Sequence, residues 1–160
     1  MKIAVAADHR GRAVKEMVIA LLTDQAHEPI DMGTNSSRSC DYPDIGYRAA
    51  RAVADGVVDR GILICGTGIG MSIVANKVKG IRAAVCHDEM TAQISRRHND
   101  ANVLCLAADV LGEETIRSIV LSWLNTEFEG GGRHARRVNK IRWIEEGKDP
   151  STYPHHKGRC

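Results

Sequence analysis

The segment Gly61-Ile62-Leu63-Ile64-Cys65-Gly66-Thr67-Gly68-Ile69-Gly70-Met71-Ser72 joins a short apolar run to a loop with glycine at every second position. The run has the length and β-branched content of a buried strand, and residues 71–78 predict the helix that follows it. Cys65 then stands where strand gives way to helix, at the carboxyl edge of a sheet, where open α/β folds collect ligands. Glycines let backbone N–H groups approach an anion without interference from Cβ. The segment therefore predicts a thiol facing a cradle for negative charge.

Working outward, the same alternation of strand and helix continues in both directions. Residues 2–7 form a near-continuous apolar strand. Val14, Met17, Val18, Leu21 and Leu22 then recur at helical spacing. A short strand over 28–32 leads through a polar loop, 33–41, to a helix opened by Tyr42-Pro43-Asp44, proline being suited to a helix start. Beyond the glycine loop, strands are expected at 82–86 and 103–106, with a helix to about residue 97 between them and another over 112–124. Gly130-Gly131-Gly132 breaks the chain before a basic helix at 133–146. This order predicts a single-domain, doubly wound (Rossmann-like) α/β fold: a parallel five-stranded sheet with helices on both faces and a C-terminal basic helix. The domain is expected over 1–146, followed by a tail, 147–160, in which His155-His156 reads as exposed polar chain more readily than as a metal site.

Composition narrows the function classes. A chain of 160 residues with a net charge of +2 is too weakly basic to indicate nucleic acid by charge alone. No apolar run reaches membrane-spanning length. The five cysteines include no C-x-x-C pair, and Cys86 and Cys105 lie in apolar runs where a thiol behaves as a small hydrophobe. A reduced, cytoplasmic protein is the expectation.

Three chemistries could use Cys65. A C-x5-R phosphatase requires arginine six residues on, where this chain has Met71. A dinucleotide loop requires G-x-G-x-x-G, whereas Gly66, Gly68 and Gly70 give G-x-G-x-G, although Asp88 falls near the place of a ribose-binding acid. The third is proton abstraction beside a carbonyl, with loop N–H groups stabilising the enediolate, and a helix N-terminus favours the thiolate that this needs. Asp8-His9, after the first strand, reaches the same edge, either as a helix cap with a surface histidine or as a ligand contact. His98-Asn99 precedes the fifth strand and belongs to the opposite, amino edge. It is either a turn or part of a neighbouring chain's site. Arg133 and Arg137, at i and i+4, suit phosphate or form a plain basic surface.

Asp8-His9, Asp41-Tyr42-Pro43-Asp44, Cys65 through Gly70, His98-Asn99-Asp100 and Gly131 through Arg137, spread in order over nearly the whole chain, resemble the B-type ribose 5-phosphate isomerases. That family also holds the galactose 6-phosphate isomerase subunits. The resemblance implies a metal-free, cofactor-free aldose–ketose isomerisation of a sugar phosphate. Cys65 would be the base, Thr67 and the N–H groups of Gly66, Gly68, Ile69 and Gly70 would hold the enediolate, and His98 would be the acid in ring opening. Asn99 and Asp8 would bind the sugar, His9, Arg133 and Arg137 the phosphate, and Tyr42 would line the pocket. It also implies a homodimer with sites shared between subunits, with tetramers known. The rivals are a six-carbon aldose 6-phosphate isomerase, of allose or galactose type, and a non-catalytic sugar-phosphate or nucleotide binding module. One departure stands out: many members carry arginine where this chain has Asp109, and a carboxylate there is expected to repel phosphate or to shift substrate preference.

Overall fold

The computed structural model describes residues 1–154. Five parallel strands, β1 (Lys2–Ala7), β2 (Glu28–Asp31), β3 (Arg60–Cys65), β4 (Ala83–Val85) and β5 (Val103–Ala107), form one sheet in the order β2-β1-β3-β5-β4. The helices are α1 (Arg12–Asp24), α2 (Tyr42–Ala54), α3 (Ile69–Ala75), α4 (Glu89–Asn99), α5 (Glu113–Leu124) and α6 (Gly132–Glu145). The doubly wound α/β architecture expected from the sequence is the one observed. None of the helices is long and apolar enough to cross a membrane.

Strand residues point alternately to opposite faces, and the core divides accordingly. Ile3, Val5, Ile62, Ile64, Leu104 and Leu106 pack with α1, α4 and α5 around the fully buried Trp123. Ala4, Ala6, Leu63, Cys65, Val103 and Cys105 face α2 and α3. Both faces are covered, which is why β1 and β3 read as apolar runs after their first residues, Lys2 and Arg60, and β5 as an unbroken one. The chain leaves β1 toward β2 on one side and β3 toward β5 and β4 on the other. The crevice outside the carboxyl ends of β1 and β3 is therefore the topological switch point, the preferred ligand position in such sheets.

The helix after the glycine loop differs from expectation. It begins at Ile69 and ends at Ala75, not at 71–78. Gly68, at φ +73, turns the chain into the helix at once. Asn76 stops it: its side chain bonds Ser72 O and both the N–H and carbonyl of Ala83. Asp88, the possible ribose-binding acid of the dinucleotide reading, is instead the N-cap of α4, with Oδ1 accepting from Thr91 N at 2.7 Å.

Beyond α6 the chain folds back as a short 3-10 turn, Pro150–Thr152. Tyr153 meets the edge of Trp143 at 5.3 Å, and Trp143 Nε1 donates to Thr152 Oγ1. His155-His156 lies outside the described residues.

Candidate active site

The switch-point crevice is an open cleft of about 510 Å³. Its floor is the end of β3: Cys65, only 5% exposed, then Gly66 and Thr67. Of the other residues expected there, Asp8, Tyr42, Ile69 and Gly70 line it while His9 and Gly68 do not, and Arg10, Ile73 and Asp109 join them. Asp8 is buried and closes the turn after β1, where its Oδ1 accepts the N–H groups of Arg10 at 2.9 Å and Gly11 at 3.2 Å. Its second carboxylate oxygen is left for the cleft. Among the described residues, the N–H groups of Thr67, Gly68 and Gly70 find no hydrogen-bond acceptor, while Ile69 N bonds weakly to Thr67 Oγ1 at 3.4 Å. The arrangement sets a thiol, a carboxylate, a hydroxyl and unsatisfied amides around one open volume. Those are the parts needed to move a proton beside a carbonyl and hold the resulting oxyanion.

The glycines serve the protein's own packing as well as a ligand. A side chain at Gly70 would run into the Tyr42 ring, 2.6 Å from Cζ. One at Gly68 would press on the Leu106 carbonyl at 3.2 Å, and one at Gly66 would occupy space taken by Asp109 and Arg10. Tyr42 thus owes its place at the cleft wall to the missing Cβ of Gly70.

The other thiols separate from Cys65 as expected. Cys86 and Cys105 are 1% and 0% exposed, and burial pushes both thiols up, Cys105 strongly. Cys40 is half-buried and was not anticipated. Its N–H donates to His9 Nδ1 at 3.3 Å, and its sulfur lies 3.9 Å from the same nitrogen. His9 is therefore turned toward the 33–41 loop at the side of the cleft. Lys15, fully buried, anchors that loop by bonding both Asp31 oxygens and Asn35 Oδ1.

The remaining candidates gather elsewhere. His98, near the end of α4, stacks on His134 of α6, with ring centroids 4.0 Å apart and 8° between planes. Arg133 Nε reaches His134 Nε2 at 3.2 Å. Arg137 is exposed on the same helix. The Asn99 carbonyl accepts from Arg82, whose N–H bonds Asn102 just ahead of β5. This is the amino edge of the sheet, a strand's length from Cys65, so one chain does not bring His98, Asn99, Arg133 or Arg137 to the cleft. Burial and the neighbouring His98 ring push the His134 imidazole below its usual range. His98, Glu129 and His134 set one donor atom each within 4.8 Å of one another. The guanidinium of Arg97, bidentate on Glu129 Oε1, and that of Arg133 already supply positive charge there. Rings stacked face to face do not converge their in-plane lone pairs. The cluster is a hydrogen-bonded acid–base group better than a metal centre.

Asp109 is not the bare negative charge that the sequence suggests. Arg10 donates to its Oδ2 through Nε at 2.6 Å, with Nη2 in ion-pair contact with the same oxygen at 2.6 Å, and the carboxylate in turn raises the Arg10 guanidinium. Arg10 escaped the sequence reading, although it directly follows Asp8-His9 and so had to emerge at the same edge.

This geometry agrees with the comparisons to known proteins. A family model described as Ribose/Galactose Isomerase matches residues 3–141. The chain is 49% identical over 148 residues to ribose-5-phosphate isomerase B of Escherichia coli, covering 92% of this chain and 99% of that one. It is 45% identical over 152 residues to D-erythrulose-4-phosphate isomerase of Pectobacterium atrosepticum, covering 91% and 95%. Among solved structures, ribose-5-phosphate isomerase B of Clostridium thermocellum superposes with a TM-score of 0.90 at 51% identity, covering 92% of this chain and 99% of that one. With the cleft on its switch point and the match running from β1 into α6, the chain belongs to the ribose/galactose isomerase family.

Proposed function

We propose that the protein interconverts ribose 5-phosphate and ribulose 5-phosphate through an enediolate, as an enzyme of pentose phosphate metabolism in the cytoplasm. The observation that carries this reading is Cys65 on the floor of a cleft that also holds Asp8, Thr67 and unpaired loop N–H groups. Cys65 removes the proton from C2 of the open-chain aldose and returns it to C1. Thr67 and the N–H groups of the Gly66–Gly70 loop take the charge that develops on the carbonyl oxygen. Asp8 holds sugar hydroxyls, and Tyr42 forms the wall.

The acid of ring opening, His98, with Asn99 and the phosphate ligands Arg133 and Arg137, then comes from a second copy of the chain, while His9 contributes from the first. The apolar surface supports this pairing. Ile69 and Ile73, each 55% exposed, line the cleft, and Tyr47, 54% exposed, lies on α2, the helix that begins at the cleft residue Tyr42. A partner chain laid over the cleft would cover these side chains while delivering its His98 and arginines.

Relatives of this chain are named for both five-carbon and four-carbon substrates, so the deciding experiment offers several. Purified protein with chelator present is given ribose 5-phosphate, erythrulose 4-phosphate, and allose and galactose 6-phosphates, beside the Cys65→Ala variant. Ribulose 5-phosphate formation by the wild type and a loss of about a thousandfold in Cys65→Ala are expected, toward the upper range of acid–base effects. Comparable turnover in the variant would remove Cys65 from the role of base.

A further inference from the structure

The cleft over Cys65 is meant for a dianionic substrate, yet its lining contains two carboxylates, Asp8 and Asp109, and a single cation, Arg10. Arg10 leaves the end of β1 and Asp109 the end of β5, the strands on either side of β3. Their ion pair therefore arches over Gly66, directly beyond Cys65, and is possible there because Gly66 has no side chain to occupy that space. Arg10 is held at two levels. Its N–H is bound by Asp8, and its Nε and Nη2 converge on one oxygen of Asp109. That contact uses one of the five guanidinium donors, the Nε–H, in a hydrogen bond. Among the described residues no other acceptor engages the rest. The Arg10 side chain is 57% exposed and that of Asp109 37%, so the pair adds little to folding. Its position matters more than its stability.

We infer that Arg10 is a phosphate-recognising residue of this cleft, with Asp109 as an internal anion that aims the guanidinium and sets how strongly it binds. This rests on the reading that the cleft accepts a sugar phosphate. Asp109 orients Arg10 across the floor, and an incoming phosphate takes the free donors in bidentate fashion, sharing the cation with the carboxylate. The two residues then act with opposite sign: loss of Arg10 weakens anion binding, whereas loss of the Asp109 charge strengthens it.

The test measures inorganic phosphate binding by calorimetry, and KM and kcat for ribose 5-phosphate, in wild type, Arg10→Met, Arg10→Lys, Asp109→Asn and the Arg10→Met/Asp109→Asn double variant. Arg10→Met is expected to raise the phosphate Kd and the sugar-phosphate KM roughly tenfold or more, with kcat changing far less, because a charge-assisted contact to the non-reacting end of the substrate is removed. Arg10→Lys keeps a point charge without the planar fork and should fall between. Asp109→Asn should tighten phosphate severalfold in the wild-type background, and the double variant should still bind phosphate more weakly than Asp109→Asn alone. Unchanged phosphate affinity in Arg10→Met overturns the proposal. So does equal weakening in both single variants accompanied by a fall in Tm, which marks a merely structural pair. Phosphate binding is read without turnover, so a protein inactive on ribose 5-phosphate would fail the functional reading while still reporting on Arg10.

Discussion

The His134 ring is buried, its Nδ1 has no hydrogen-bond partner among the described residues, and the positively charged Arg133 lies against its Nε2. Glu129 Oε2 lies at 3.9 Å, the one anion near it among the described residues, and Arg97 already engages that carboxylate. Protonating His134 in the folded state is therefore harder than in the unfolded chain. The unfolded state binds more protons below the ordinary histidine value of about 6.5, so stability is full above that pH and declines as pH falls through it. His27, lowered by partial burial and the adjacent N-terminus, acts in the same direction. Thermal melts from pH 8 to pH 5 should show Tm falling on the acid side of about 6.5. His134→Gln should make that decline shallower, and an identical pH profile in the variant would show that His134 is not its source. Because His134 is stacked on His98, the same proton would also set a positive charge against the proposed ring-opening acid.

At the scale of elements, the short helix α3 connects the core to the cleft. Gly68 is the hinge of that connection: it is buried, lies in the left-handed region, and leaves no room for a Cβ against Leu106 and Val85. Gly68→Ala pays both the backbone strain and the contact, an expected loss of about 1–3 kcal/mol in urea unfolding. Activity should fall further than stability, since the strained turn carries Thr67 and the free N–H groups. A Gly68→Ala protein with wild-type stability and turnover would show that the left-handed turn is dispensable. The amino edge has its own organising elements. Arg60 and Arg96 both lie over the Trp123 ring, with Cζ at 5.2 and 5.9 Å from its centroid, and Arg96 also bonds Asp100 and the Ala101 carbonyl. These contacts fix the end of α4 and thereby the position of His98.

For the whole molecule, the separation of the two candidate groups is the central fact. Cys65 ends β3, while His98 and the Arg133–Arg137 face sit beside the strand starts, and a parallel sheet holds those edges apart. In the proposed dimer, antiparallel pairing of two chains would place one chain's amino-edge group over the other's cleft. Mixed samples of Cys65→Ala and His98→Ala, each inactive alone, should then regain activity, because one of the two hybrid sites carries both groups. At equal mixing, half of the dimers are hybrids with one intact site, so about a quarter of wild-type activity is the ceiling for site-independent turnover by simple counting. Proven subunit exchange without recovery would exclude the shared site.

Much of this was legible in the chain itself. Apolar period fixes strand and helix because burial on both faces leaves no polar position in β1, β3 and β5 beyond the leading Lys2 and Arg60, and the alternation of elements then leaves a parallel sheet as the economical way to pair them. Cys65, Asp8 and Thr67 could be sent to one edge because successive strands in such a sheet all end there, whereas Tyr42 came only from the family resemblance. The sequence also separated His98 from that edge by counting one helix back. Other features required the folded chain. Arg10 and Asp109 are 99 positions apart, and their pairing depends on β5 inserting beside β3 and on the empty space at Gly66. His9 turning to Cys40, and His134 stacking on His98, are likewise contacts between segments whose register no local pattern encodes. Periodicity reports which face of an element is buried, an average over several residues. Which two side chains meet across an edge is decided by strand order and by a few tenths of an ångström of packing, and only the tertiary structure sets those.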